Sequence, residues 1–185
     1  MSSELELSCE QYTWADYEKW EDDFRCELID GIVYMMAPPT ISHQDVVLEI
    51  GAQLRELLKG KKCKPFISPI GVRLFPSKDK TDRDVLLPDV IVVCDKSKLT
   101  NDAACEGAPD VVFEVLSPST KPIDLKIKKQ LYKQAGVKEY WVVAKDHAIR
   151  WIWSDGRDDE LRFMRANGVI SMVIETLSLR IELDV

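Results

Sequence analysis

A chain of 185 residues with 45% hydrophobic and 8% aromatic residues can bury a substantial core, which excludes a disordered chain and argues against two domains. Its formal net charge of −7 excludes adsorption to nucleic acid by bulk electrostatics alone. No apolar run reaches the roughly 18–20 residues that span a bilayer, and the acidic start MSSELELSCEQYTW does not read as a signal peptide.

In chain order, residues 11–24 (QYTWADYEKWEDDF) read as a short amphipathic helix with Trp14, Tyr17 and Trp20 inward. RCELIDGIVYMMAPP is a hairpin signal, two apolar runs joined by Asp30-Gly31, a dipeptide suited to positive φ. Residues 42–60 form the clearest helix, with Ser42 as N-cap, Gly60 as stop, and Val46, Val47, Ile50, Leu54, Leu57 and Leu58 on one stripe. Strands are expected at 64–75, 88–94, 110–116 and 138–144, with a helix at about 121–135 closed by Gly136. A β-rich C-terminal segment follows (AIRWIWS, then VISMVIETLSLRIEL). The class is α/β (α+β), a single domain over residues 1–185. Five scattered cysteines (Cys9, Cys26, Cys63, Cys94, Cys105) without a CxxC pair predict reduced thiols in a cytoplasm, and neither a disulfide framework nor a zinc site.

Charge is concentrated where apolar residues would be unremarkable. In the strand 110–116 alternation sets Asp110, Val112, Glu114 and Leu116 on one face and leaves Val111, Phe113 and Val115 on the other. In the following helix, at about 100° per residue, Ile127, Leu131, Ala135, Tyr132 and Leu125 form an apolar arc around Asp124. Lys128 falls about 40° from Asp124, inside that arc, whereas Lys126, Lys129 and Lys133 group opposite.

A hard divalent cation needs a second carboxylate. Asp110 lies about 13 Å along the strand from Glu114; Asp89, opening another apolar strand after Pro88, is the better partner. Glu27 stands in the hairpin strand, and His43 opens the long helix on its apolar side. The plainer readings are one structural ion pair between Glu114 and Lys128, a turn role for Asp89, a cap for Asp124, and a hydrogen-bonded helix-start residue for His43. Trp141, Trp151 and Trp153 read most simply as core or interface residues.

The runs CELIDGIVYMMAPP, SHQDVV, LLPDVIVVCD, GAPDVVFEVLSPST and DLKIKKQLYKQAGVKEYWVV resemble, in this order, the Uma-two family of endonucleases, a former domain of unknown function in the restriction-endonuclease-like PD-(D/E)XK superfamily. The resemblance covers about residues 12 to 180. It implies a central mixed sheet flanked by helices, with extra C-terminal strands, and a Mg²⁺- or Mn²⁺-dependent endodeoxyribonuclease. It implies catalytic roles for Asp89, Glu114, Lys128 and Glu27. The metal ligands it implies are Asp89, Glu114 and the carbonyl of Val115, with Glu27 assisting. The superfamily's lysine normally sits two residues after the strand acid, where this chain has Leu116; the family's displaced lysine corresponds to Lys128. DNA as partner and a homodimer follow from the same resemblance. The alternative is a non-catalytic nucleic-acid-binding or assembly module with a degenerate site.

Overall fold

A computed structural model describes residues 10–20, 25–99, 104–117, 123–154 and 156–184, the side chains of residues 123 and 124 excepted. Its centre is a six-stranded sheet built from β3 (Lys64–Ile67), β6 (Val90–Val93), β8 (Val111–Val115), β9 (Glu139–Val143), β10 (His147–Ile152) and β11 (Asp159–Met164). Their spatial order is β11-β10-β9-β8-β6-β3. The β8–β9 pair is parallel and the other pairs antiparallel. Parallel neighbours need a crossover, and here it carries a helix that covers one face of the sheet.

Alternation divides the central strands between two cores. Val90, Val92, Val111, Phe113, Val115, Trp141 and Val143 face helix α2 (Ile41–Leu57) and the separate hairpin β12–β13 (Val169–Ile174, Leu179–Asp184). Ile91, Val93, Val112, Tyr140 and Val142 face the crossover helix and a second sheet. That sheet has the order β2-β1-β5-β4-β7 and comprises β1 (Cys26–Ile29), β2 (Ile32–Met35), β4 (Gly71–Arg73), β5 (Val85–Leu86) and β7 (Ala104–Glu106).

Several local expectations hold. Asp30 and Gly31 take φ of 50° and 75° between paired β1 and β2, the two-residue hairpin turn their chemistry suits. Trp14 is buried in a one-turn helix, α1 (Trp14–Tyr17), and Tyr17 and Trp20 pack against its cluster; residues 21–24 of the expected helix lie outside the described residues.

Others are corrected. The N-cap of α2 is Thr40, whose hydroxyl accepts from the His43 amide at 3.2 Å, so the helix begins before Ser42. Leu57 is exposed, while Val46, Val47, Ile50 and Leu54 form the buried stripe. The crossover helix opens with a π-helical stretch, Ile123–Lys128, before α3 (Lys129–Ala135). Its wider turn breaks the α-helical wheel, and Ile127, expected inside, is 39% exposed. Strands β5, β7 and β11 were not expected from the pattern. In β11 this follows from its exposure, since only Phe163 is half-buried.

The cysteine expectation also fails. Cys63 and Cys94 flank the paired ends of β3 and β6, where Lys64 lies opposite Val93, and they form a disulfide. Their separation of 31 residues conceals what the antiparallel register brings to a Cα distance of 3.9 Å. Cys26 and Cys105 are free and buried, and burial pushes each thiol up to about 11. Cys9 lies outside the described residues. No helix among the described residues is long and apolar enough to cross a membrane.

Candidate active site

Glu114 sits next to the end of β8 on the face that meets the crossover helix. Its parallel partner is Val142. Because Val90 pairs with Phe113, the preceding residue Asp89 lies across from Glu114. Glu27 arrives from the second sheet, one residue before Leu28, which pairs with Val85. Lys128 comes from the junction of the π-turn and α3. Three layers thus each contribute to one place.

The side chains meet there. The Lys128 Nζ lies 2.9 Å from Glu27 Oε1 and 3.0 Å from Glu114 Oε1. The Tyr132 hydroxyl donates to the same Glu114 oxygen at 2.8 Å. Lys128 and Tyr132 are four residues apart, so both project from one side of the helix. Glu27 Oε1 also accepts the Leu87 amide at 2.8 Å. Beside this group, Asp89 Oδ2 accepts the Val115 amide at 2.8 Å and contacts His43 Nε2 at 3.1 Å.

Glu27, Asp89, Glu114 and Lys128 are exposed by 4%, 6%, 4% and 2%, so the charges stand in a poorly solvated place. Three carboxylates against one ammonium leave an excess of two negative charges. The Tyr132 hydroxyl is held well above its usual value, first by burial and then by Glu114, and so stays a donor. The hydrogen bond to Asp89 raises the His43 imidazole above its ordinary value, burial opposing it.

No three His, Cys, Asp or Glu side chains converge as a ready-made metal cage among the described residues. The candidate donors are the carboxylates of Asp89 and Glu114, which lie opposite one another in register on neighbouring strands, while Glu27 contacts Lys128. An all-oxygen set with a surplus of two negative charges fits a hard divalent cation.

Of the residues singled out in the sequence, Lys128 contacts both Glu27 and Glu114, and Asp89 lies opposite Glu114 in register. Asp110 stands apart, its carboxylate taking the Cys94 amide at 2.7 Å and Lys138 at 2.6 Å. The side chain of Asp124 and residues 118–122 lie outside the described residues. Sequence reasoning missed Tyr132, His43 as a partner of Asp89, and Arg25. The signals were present: Tyr132 is four residues after Lys128, and Arg25 stands just before the strand that carries Glu27.

The chain matches, over residues 14–185, the family described as "Uma2: Putative restriction endonuclease". A protein of Synechocystis sp. (strain PCC 6803), "Uncharacterized protein slr1290", is 29% identical over 119 residues, which make up 63% of this chain and 60% of that protein. The chain therefore aligns with less than two thirds of that relative. Among solved structures, "a putative nuclease belonging to DUF820" from Anabaena variabilis superposes with a TM-score of 0.69 at 15% identity, over 90% of each chain. The two share a fold, a mixed α+β arrangement.

Proposed function

This chain belongs to the Uma2 family, and we propose on that basis that it is a Mg²⁺- or Mn²⁺-dependent endonuclease hydrolysing DNA phosphodiester bonds. The observation that carries the proposal is the buried Glu27–Lys128–Glu114 group beside Asp89. Buried, partnered charge of this kind concentrates where chemistry is done.

Asp89, Glu114 and the carbonyl of Val115 would hold the ion, with Glu27 assisting directly or through water. When bound, the ion supplies Lewis-acid chemistry toward the scissile phosphate and toward water. The chain's own groups do the rest. Glu27 and Glu114 fix the Lys128 amine from two sides, so it is aimed at one point. From there it orients the attacking water and stabilises the charge that develops on the phosphate. Tyr132 holds the Glu114 carboxylate in one rotamer. A single such site cuts one strand, so cleavage of a duplex calls for a homodimer. We read the chain as one nuclease-like domain.

A second reading, a non-catalytic binding or assembly module, is favoured by one contact pattern: one oxygen of Glu114 serves both Lys128 and Tyr132, as in a purely structural pair. Cleavage of supercoiled plasmid and of single-stranded DNA with Mg²⁺ and Mn²⁺, with Glu114→Ala purified in parallel, tests the first reading. Cleavage by the wild type alone supports it. No cleavage together with no Mn²⁺ binding by calorimetry leaves the structural ion pair as the better account.

A further inference from the structure

Three buried side-chain nitrogens have no hydrogen-bond partner among the described residues: Arg25 Nε, His43 Nδ1 and Arg150 Nε. A buried donor without a partner is uncommon enough to call for a cause. Arg150 is settled elsewhere, bound to the Val173 carbonyl and Glu175 and lying over Trp141. The other two flank Asp89. His43 touches it directly through Nε2. Arg25 reaches it through one residue: its Nη2 donates to Ser68 Oγ at 2.7 Å, and the Ser68 amide donates to the Asp89 carbonyl at 2.9 Å. The positive charge of Arg25 also opposes protonation of His43, as expected of neighbours.

Arg25 immediately precedes β1, the strand that carries Glu27. The two cations of the site are not equivalent. Lys128 is enclosed by two carboxylates within 3.0 Å. Arg25 is half-buried and makes no ion pair among the described residues. A divalent ion would offset the surplus of two negative charges but not the phosphodiester's own charge, and Arg25 is a cation near Asp89 that is not already matched by a carboxylate among the described residues. Nε and Nη2 share one edge of the guanidinium, and Nη2 keeps a second hydrogen beside the one given to Ser68, so that edge can take two oxygens of one phosphate.

We propose that Arg25 is a substrate-binding residue that grips a backbone phosphate of DNA on the Ser68 side of Asp89. The proposal rests on the nuclease reading above and adds a residue to it. The two carboxylates hold the ion, and the guanidinium holds the strand.

The test is fluorescence anisotropy of a labelled DNA duplex, with Ca²⁺ replacing Mg²⁺ so that binding is read without turnover, across a salt series. Calorimetry with Mn²⁺ is run on the same proteins. Arg25→Gln should weaken DNA binding about tenfold and make the slope of log K against log salt less negative by about 0.9, the share of one phosphate contact. Mn²⁺ binding should not change. Arg25→Lys should keep the slope and lose only a few-fold in affinity, as charge is retained and the fork lost. Unchanged affinity and slope in Arg25→Gln, with a wild type that binds DNA, overturns the role of Arg25 and leaves the nuclease standing. Loss of Mn²⁺ binding in Arg25→Gln also overturns it, since Arg25 would then shape the carboxylates. A wild type that binds neither DNA nor Mn²⁺ sinks both readings. Should Arg25→Gln fail to fold, Arg25→Lys decides, and affinity equal to wild type counts against the proposal.

Discussion

Lys128 stands between Glu27 and Glu114, and removing it does two separable things. Two carboxylates are left facing each other in a buried place, which costs about 3 kcal/mol of stability. The amine that would assist the attacking water is also gone, which lowers turnover by about 100-fold or more. Lys128→Ala should therefore cleave DNA far more slowly while still binding Mn²⁺ in calorimetry. Equal loss of both would make Lys128 chiefly a structural partner of Glu114. Asp89→Ala should behave differently and abolish Mn²⁺ binding, and unchanged binding would remove Asp89 from the ligand set. At this scale much was legible. The helical wheel separated Lys128 from Lys126, Lys129 and Lys133, and Lys128 is the buried one. Arg25 and His43 were less legible because their partners, Ser68 and Asp89, are brought to them only by tertiary packing.

Among the elements, the β1–β2 hairpin sets where Glu27 points. Its register pairs Glu27 with Tyr34, and a slip of one residue would turn Glu27 away from Lys128. Gly31 secures the turn with φ of 75°, and a Cβ there would stand 3.0 Å from the Tyr12 carbonyl oxygen. Gly31→Val should cost about 2 kcal/mol or more in urea unfolding and should reduce activity beyond what the residual folded fraction explains. A loss no larger than that fraction would mean the turn does not aim Glu27. This hairpin was readable from Asp-Gly alone because the signal is local. The π-turn before Lys128 was not, because the sequence KPIDLKIKKQLYKQAG fits a regular helix equally well. Strand β7 was missed for a related reason: three residues gain strand character only by pairing with β4.

For the molecule as a whole, the central sheet is covered on one side by α2 and the β12–β13 hairpin, and on the other by the crossover helix and the second sheet. The second sheet carries a buried ion pair of its own. Arg73 donates to Asp82 through Nε at 2.8 Å and Nη2 at 2.7 Å, and its Nη1 reaches Glu106 at 2.9 Å. Burial pushes the Asp82 carboxyl up, but Arg73 and Ser77 outweigh it and hold the group below its ordinary 3.8. A carboxyl lowered by folding binds fewer protons in the folded state. It therefore adds stability above its unfolded value, and that stability is lost as pH falls through the lowered folded value. Asp82→Asn should cost about 3 kcal/mol at neutral pH, and the gap to wild type should narrow as the pH falls below 3.8 through the lowered folded value. Equal gaps at both pH values would show that the charge is not what Asp82 contributes. The sequence indicated mixed α/β architecture and the strands that form the centre. It did not indicate the division into two sheets and a hairpin, nor the Cys63–Cys94 bond, because both depend on which strands find each other.

Glu27, the Asp89–Glu114 pair and Lys128 come from three different layers, and no two neighbouring residues in the chain hold the set. A nascent or damaged copy whose layers have not docked owns every necessary side chain yet has no cutting centre. On the nuclease reading, that interleaving acts as a fail-safe, since competence arrives only with the last step of assembly and vanishes with the first step of its loss.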